Sequence, residues 1–590
     1  MDNYKITQYS VNSILGFVES SQIAIPEIQR PFVWKEKEVK DLIDSLYEGY
    51  PIGYLIVWQN SKVRLKGFGK GGTKKILIDG QQRVTALMAA LLGKDVLDDQ
   101  YRAKKIRIAF NPLSGPEEEH FAVYSDAVEE DPRWIPDISA LFRRDFSFRQ
   151  FEKEYKDRNP GEDFSDLEQN IDTLKGIVKH QVGIVELSFQ LDIDVVSEIF
   201  IRINLQGKPL NQEDFAMSKI SVNEEFDGDY IRNTIDYFCH LLKEPSFYDL
   251  MIQGDPDFAA SRYGQALAWC KDAGSLLYNP SYADVLKVVL ISSFGKTRVG
   301  DLVNLLSGKT GRRGQVSRQL TEESFHKLAE GVLAFVSEKN FRGFLAALDK
   351  AGYKTGRLIY SQSVLNNCYA MYLLMDRKGI ADKDKSSLIG KWMAMTLMTG
   401  HYQGSPDSVI ARDVENIERE GFASYLAQIE SLRMGEDFFE SVLPDRFATT
   451  TARTAPFLAY MAALASDDVY ALYSKDRKLS DLYEARTESY QILPKAFLAS
   501  CGFRTREIYG QVANITYLPS EVKAVVKKKS PAQYRDDLDK LMDEKEIAAS
   551  LASLDLDPAI FEVDESSVEA FLSERRKKMA MRLKSYYDSL

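Results

Sequence analysis

Up to about residue 225, short apolar strands alternate with helical stripes. Beyond it the stripes run on almost without strands, so the chain must build a sheet early and then pack helices for most of its length. "EVKDLIDSLYEGY" sets Val39, Leu42, Ile43, Leu46 and Tyr47 at helical spacing, with Gly49 placed to end the helix. "YLIVW" (54–58), "ILI" (76–78) and "IRIAF" (106–110) read as strands, and "VGIVEL" (182–187) as a late strand of the same domain. The polar "EKEYKDRNPGEDFSDLEQN" reads as an exposed loop or helix pair. Further on, "SYADVLKVVLISSF", "SVLNNCYAMYLLM" and "SLIGKWMAMTLM" carry apolar stripes that belong to a helical core, and "SGKTGRRGQVSRQ" (307–319) is expected to be a mobile loop. The expected domains are 1–224, 225–440 and 441–590, the last closing in the charged helix "VEAFLSERRKKMAMRLKSYY".

Within "ILIDGQQRVTAL" a strand meets a helix at a corner crowded with Asp79, Gly80, Gln81, Gln82 and Arg83. Amides at a helix N-terminus point outward unpartnered and carry partial positive charge, which makes the start of such a helix a place for an anion. Gly80 would let a ligand approach the backbone, Arg83 would fork onto phosphate oxygens, and Asp79 would hold a hydrated Mg2+ ion. Gln81 and Gln82 would orient a water or read a base. A second reading fits the same residues: Asp79 caps the helix and Arg83 pairs with it.

Of the 590 residues, 44% are hydrophobic and 28% charged, the pattern of a globular protein long enough for several cores. No uncharged apolar run approaches the roughly 18–20 residues of a bilayer span, and "MDNYKITQYSVNSILGF" lacks the pattern of a secretory signal, so a cytoplasmic, membrane-free protein is expected. A net charge of -11 argues against a general nucleic-acid coat but leaves room for a local basic groove. Cys239, Cys270, Cys368 and Cys501 form no CxxC, so neither a zinc knuckle nor a disulfide framework is indicated. Of the five histidines, His120, His180, His240, His326 and His401, none lies beyond 401.

Two further segments share the chemistry of the corner. "IPEIQRPFVW" (25–34) places Gln29 and Arg30 before Phe32 and Trp34, and "IFIRINLQGKPLNQEDFAMSKI" (199–220) places Arg202 and Asn204 before a turn and Asp214 after it. Together the segments supply Gln29-Arg30-Pro31-Phe32-Val33-Trp34, then Asp79-Gly80-Gln81-Gln82-Arg83 with Thr85 and Leu87, then Phe200, Arg202, Asn204, Gly207, Leu210 and Asp214. In this order they resemble the N-terminal domain of the GmrSD-type modification-dependent restriction endonucleases. "KWMAMTLMTGHYQGSPDSVIARDVENI" (391–417) is similar to a helical segment of that family, with His401 where arginine is common, and "TARTAPFLAYMAALAS" to the helix leading into its C-terminal domain.

The resemblance implies an α+β, multidomain protein: a ParB/sulfiredoxin-like N-terminal α/β domain, an all-helical middle, and a C-terminal HNH (ββα-metal-like) domain. It also implies a nucleoside triphosphatase in the first domain, using Mg2+ and GTP or ATP, and DNA cleavage in the last. An HNH site needs histidine to activate water and His, Asn or Asp to hold metal. Here "YQILPKAFL", "VANITYL" and "EVKAVV" keep Ile492, Pro494, Lys495, Phe497, Asn514 and Ile515, but Tyr490 and Gln491 stand where histidines are expected and Lys523 replaces an asparagine. The C-terminal domain therefore reads as degenerate.

Lys495, Lys523, Lys527, Lys528 and Lys529 remain candidate DNA contacts, as do Arg575, Arg576, Lys577, Lys578, Arg582 and Lys584 of the last helix, unless they form a solvated face. The expected function is an NTP-dependent component of a bacterial DNA restriction or anti-phage system. In it Asp79, Gln81, Gln82 and Arg83 are catalytic, and Gln29, Arg30, Gly80, Arg202 and Asn204 surround the nucleotide. Its partners would be DNA, including modified phage DNA, a partner nuclease or methylase subunit, or a second copy of the chain. Two alternatives are an endonuclease that uses the ParB-like domain, and a non-enzymatic modified-DNA-binding or regulatory module with Phe32 and Trp34 lining its pocket.

Overall fold

The computed structural model describes all residues except 1–2, 21, 25–31, 33, 61–73, 98–102, 116–117, 192–194, 197–198, 200–211, 222, 224, 275, 311–314 and 527–528. The architecture is α+β, with its main sheet in the N-terminal part and a predominantly helical remainder. The chain divides into two compact units, Met1–Gly274 and Ser275–Leu590.

The first unit is built on a five-stranded mixed sheet. Its strands are β1 (Tyr4–Ser10), β2 (Ile23–Ala24), β3 (Leu55–Asn60), β4 (Lys74–Asp79) and β5 (Gln181–Leu187), in the spatial order β1-β5-β3-β4-β2. β5 runs antiparallel to β1, from Tyr4 opposite Leu187 to Ser10 opposite Gln181, and parallel to β3. β3 and β4 are antiparallel, with a register irregularity where Ile56 pairs with Asp79 but Val57 with Leu77. The expected strands at 54–58, 76–78 and 182–187 all lie in this sheet. "IRIAF" does not: Ile108–Phe110 pairs locally with Phe121–Val123 in a separate ribbon. Periodicity identifies a strand but carries no information about its partner.

One face of the sheet is covered by α1 (Val11–Glu19), α2 (Glu36–Tyr47) and α3 (Gln81–Leu92). There Ile14, Leu46 and Val84 pack with Leu55, Leu77 and Ile184. The opposite face carries a smaller cluster of Ile56, Trp58, Ile76, Leu187 and Val196. Gly49 and Gly93, both at positive φ, follow the ends of α2 and α3, where a side chain would be strained. "EKEYKDRNPGEDFSDLEQN" spans parts of two helices, Phe148–Arg158 and Leu167–Gly176, and buries Tyr155 completely, so it is a helix pair and not a loop.

After the segment containing Arg202 and Asn204, α4 (Gln212–Ser221) and α5 (Gly228–Leu241) pack together. Asp214 is buried on α4. On α5 the Arg232 Nε lies 3.5 Å from Asp236 Oδ2, and burial pushes the Asp236 carboxyl up to about 6 despite the downward pull of that guanidinium. A folded-state value above the unfolded one favours the protonated form on folding. The stability this group contributes is therefore full below about pH 4 and declines as the pH rises through about 6. Asp236→Asn is expected to gain on the wild type by about 2 kcal/mol between pH ~4 and pH ~7. Urea midpoints of the two proteins at both pH values check this, and a pH-independent difference would contradict it.

The second unit is a helical assembly. Its core includes α6 (Tyr282–Phe294), α7 (Gln362–Arg377), α8 (Asp382–Thr399), α9 (Pro406–Glu420), α10 (Phe422–Arg433) and α11 (Ala455–Ser466). Within the expected loop at 307–319, Lys309–Thr310 pairs with Gln315–Val316, and 311–314 lie outside the described residues. Near its end the unit forms a strand β6 (Ser489–Gln491), a helix α12 (Lys495–Ser500), a strand β7 (Ile515–Tyr517) antiparallel to β6, and a helix α13 (Ser520–Val526). The final helix is α14 (Val568–Ser589).

Candidate functional site

The corner between β4 and α3 is shaped by glycines. Gly80 sits at φ 95° at the N-terminal boundary of α3, and a Cβ there would lie 2.2 Å from Leu55 Cδ2 and 3.4 Å from Arg83 Nη2. Gly53, at φ 84°, leaves room for the same guanidinium, since a Cβ would fall 2.7 Å from Arg83 Nη1. Two bonds then position Arg83: Nη2 donates to Asp79 Oδ2 at 3.0 Å and Nη1 to the Ile52 carbonyl at 2.8 Å. These engage two of its five N–H donors. Gln81 Nε2 donates back to the Leu77 carbonyl at 3.1 Å.

Asp79 therefore does pair with Arg83. The helix boundary residue, however, is Gly80, and it supplies no side-chain cap. The amides of the first turn of α3 are not closed off by a capping side chain from that position, and a guanidinium stands beside them. Such an arrangement can receive a polyanion.

Of the neighbours expected here, Gln29, Arg30, Arg202 and Asn204 lie outside the described residues. Phe32 is in the main core cluster and Trp34 packs against it, which favours a packing role over a base pocket for both. Among the described residues, no group of three or more His, Cys, Asp or Glu side chains is placed to hold a metal ion. Asp79 offers a single carboxylate, shared with Arg83, and that suffices only for a magnesium ion that arrives on phosphate oxygens.

One polar cluster in the first unit was not anticipated. Glu186, on β5, is 4% exposed and receives Lys75 Nζ at 2.6 Å and Lys5 Nζ at 2.9 Å, with the Thr7 hydroxyl donating at 3.3 Å. Burial pushes its carboxyl up, but the bonds from Lys5 and Lys75 outweigh this and leave it below the usual range. A charged residue inside the apolar "VGIVEL" was the available signal, and its two partners come from distant strands.

In the second unit, β6 and β7 bring the remaining candidates together. Asn514 is fully buried. Its Oδ1 accepts from Leu493 N at 2.8 Å, and its Nδ2 donates to the Leu493 and Tyr509 carbonyls, both at 2.9 Å. Gln491 Oε1 accepts from Lys495 N at 3.1 Å at the start of α12, while Nε2 donates to the Tyr509 carbonyl at 3.2 Å. Both amides are thus committed to holding backbone. Burial raises the phenol of Tyr490 well above its ordinary range, so it stays protonated.

Lys523 donates to the Glu488 carbonyl at 3.1 Å, Lys495 lies over the Tyr509 ring at 4.8 Å, and Lys529 pairs with Asp537 at 2.6 Å. Lys527 and Lys528 lie outside the described residues.

One cation of α14 requires correction. Arg575 is only 3% exposed and donates to the carbonyls of Ala513, Ile515 and Leu554, so it cannot reach a phosphate backbone. Arg576 bonds Gln511 Oε1 at 2.7 Å, Lys578 bonds Asp557 at 2.6 Å, and Arg582 reaches Asp555 at 2.8 Å and Asp467 at 3.1 Å. The helical period carries this information: Arg575 follows Leu572 by one turn and precedes Met579 and Leu583 on the same buried stripe. His401 is likewise committed, its ring in the core with Nε2 2.9 Å from Asp413 Oδ2.

Residues 11–221 match the family model of the GmrSD restriction endonuclease N-terminal domain. No curated protein matches the chain. Among the described residues, no helix is long and apolar enough to cross a membrane.

Proposed function

We propose that this protein, a GmrSD-type chain by its N-terminal domain, is a nucleotide-dependent component of a DNA restriction system. The observation that carries the nucleotide reading is the position of Arg83, fixed beside the first turn of α3 by Asp79 and the Ile52 carbonyl, with Gly80 and Gly53 clearing the space around it. In this reading the α3 amides and Arg83 bind the phosphates of a nucleoside triphosphate, and Asp79 is the carboxylate that would hold Mg2+. The ion, when bound, would neutralise charge on the phosphate oxygens. Gln82 would orient the attacking water. Gln81, bonded to the Leu77 carbonyl, would brace the strand-to-helix turn. Gln29, Arg30, Arg202 and Asn204 would complete the surround.

The C-terminal β6–α12–β7–α13 segment is read as a ββα scaffold that does not cut. A glutamine engaged at both ends of its amide and a protonated tyrosine stand where water activation would require a base. Its role would be to contact DNA, through Lys495 and Lys523 with Lys527, Lys528 and Lys529, or to engage a partner nuclease.

Phosphate release from ATP, GTP, CTP and UTP with Mg2+, with and without DNA, tests the first part. Turnover by the wild type that falls about 100-fold in Arg83→Ala is the expected result, the scale of losing a transition-state charge contact. An Arg83→Ala protein that turns over normally, or a wild type that hydrolyses none of the four, removes the proposal.

A further inference from the structure

The corner includes one more side chain for which the fold clears space. Leu55, the first residue of β3, turns toward α3, and alternation sends Tyr54 to the other side of the sheet. There its ring lies on the backbone of β5 at Gly183: a Cβ at that position would be 2.5 Å from Tyr54 Cε1 and 2.6 Å from Cδ1. Tyr54 is nevertheless 58% exposed. One ring face is thus seated on a glycine and the ring as a whole remains largely open to solvent.

The same short loop holds Arg83, through the Ile52 carbonyl and the space at Gly53. β4, which ends in Asp79, and β5, which carries Gly183, flank β3 on its two sides. The strands that carry Gly183 and Asp79 are therefore about two strand spacings apart, ~10 Å across the sheet, and Asp79 pairs with Ile56 at the end of β3 next to Tyr54. Directly opposite Gly183 on β1 stands Gln8, itself exposed, and directly opposed residues of an antiparallel pair share a face. A carboxamide, with donors and an acceptor, is thus placed at the margin of the aromatic platform.

We infer that Tyr54 stacks the base of the nucleoside triphosphate whose phosphates lie at Gly80–Arg83, and that Gln8 reads the edge of that base. The inference rests on the nucleotide site proposed above. It assigns to the face of the sheet opposite α3 the selection among bases, which a phosphate-binding corner cannot provide. An aromatic ring with one supported face gains contact area at little entropic cost, and a flat base fits it whatever its identity. Discrimination therefore falls to the neighbouring amide.

Calorimetric titration of the full chain with ATP, GTP, CTP, UTP and inorganic tripolyphosphate, in the presence of Mg2+, tests this. Tyr54→Ala is expected to weaken the preferred nucleoside triphosphate about 10- to 100-fold, the range of one lost base–aromatic stack, while leaving tripolyphosphate binding as in the wild type. Tyr54→Phe, which keeps the ring, retains nucleotide affinity, and Gln8→Ala narrows the spread among the four nucleotides. If Tyr54→Ala binds nucleotides like the wild type while Arg83→Ala loses them, Tyr54 only covers the glycine backbone and the inference falls while the phosphate site stands. Equal losses for nucleotide and tripolyphosphate in Tyr54→Ala also overturn it, since the damage is then to the corner as a whole. A wild type that binds neither probe removes the phosphate site and the base platform together.

Discussion

His401→Ala is expected to destabilise the chain by about 2–4 kcal/mol, the cost of a lost buried hydrogen bond together with the cavity left by the ring. His401 follows α8 and Asp413 lies on α9; their side chains are 1% and 0% exposed, with Nε2 and Oδ2 2.9 Å apart. Tyr425 of α10 donates to the other carboxylate oxygen at 2.8 Å, so one buried aspartate ties three helical segments together. Removing the imidazole leaves Asp413 Oδ2 in the interior without this partner, and a buried polar atom left unsatisfied is costly. Trp392, whose ring centroid lies 5.8 Å from that of His401, is a local fluorescent reporter for urea unfolding. In a double-mutant cycle, His401→Ala/Asp413→Ala should cost less than the sum of the single variants by at least about 1 kcal/mol. Additivity would show that the two side chains act independently.

The second large effect is expected at Asn514. Its carboxamide satisfies the Leu493 amide and the carbonyls of Leu493 and Tyr509, and so fastens the end of β6 and the start of α12 to the turn before β7. Asn514→Ala removes three bonds and strands the buried amide and carbonyl of Leu493, while the Tyr509 carbonyl keeps the bond from Gln491, a loss of about 2–4 kcal/mol. The consequence should be local first: limited proteolysis should cut faster between Tyr490 and Tyr517 than in α6 to α8. Asn514→Asp is the sharper variant, because it keeps the acceptor facing Leu493 N but sets a carboxylate oxygen against two carbonyls. It should be as damaging as alanine near neutral pH and milder in acid, where the protonated carboxyl regains one donor. An Asn514→Ala protein with unchanged protease susceptibility and urea midpoint would mean that Arg575, which grips the Ala513 and Ile515 carbonyls, holds the segment without help.

The two large effects concern residues whose sequence context suggested chemistry and whose structural role is cohesion. Asn514 stood among the retained positions of the expected HNH framework, and its donors are engaged by backbone. Arg575 stood in a run of cations that reads as a DNA-facing surface, and it is interior. Buried polar groups and functional polar groups share a vocabulary of Asn, His, Arg and Asp. What separates them is whether their hydrogen-bonding capacity is consumed inside the protein.

Much of the architecture was legible because it depends on short-range periodicity. The stripe of Val39, Leu42, Ile43 and Leu46 defines α2, the apolar runs at 54–58 and 76–78 define β3 and β4, and Gly80 marks the corner between β4 and α3. The corner's composition also pointed to its internal pair, since Asp79 and Arg83 are one helical turn apart.

By itself the sequence determined many of the helices and strands, α2, β3 and β4 among them, and that a carboxylate, a guanidinium and a glycine share one tight turn. Only the tertiary structure decided where these elements go. β1, with Lys5, Thr7 and Gln8 interrupting its apolar residues, becomes a strand by pairing with β5, almost the whole domain away in sequence. Lys5, Lys75 and Glu186 meet from three strands, and Tyr54 finds Gly183 across a sheet order that no local pattern encodes. The physical reason is that periodicity reports which face of an element avoids water, whereas pairing, burial of charge and the placing of a ring on a glycine depend on energies summed over residues far apart in the chain.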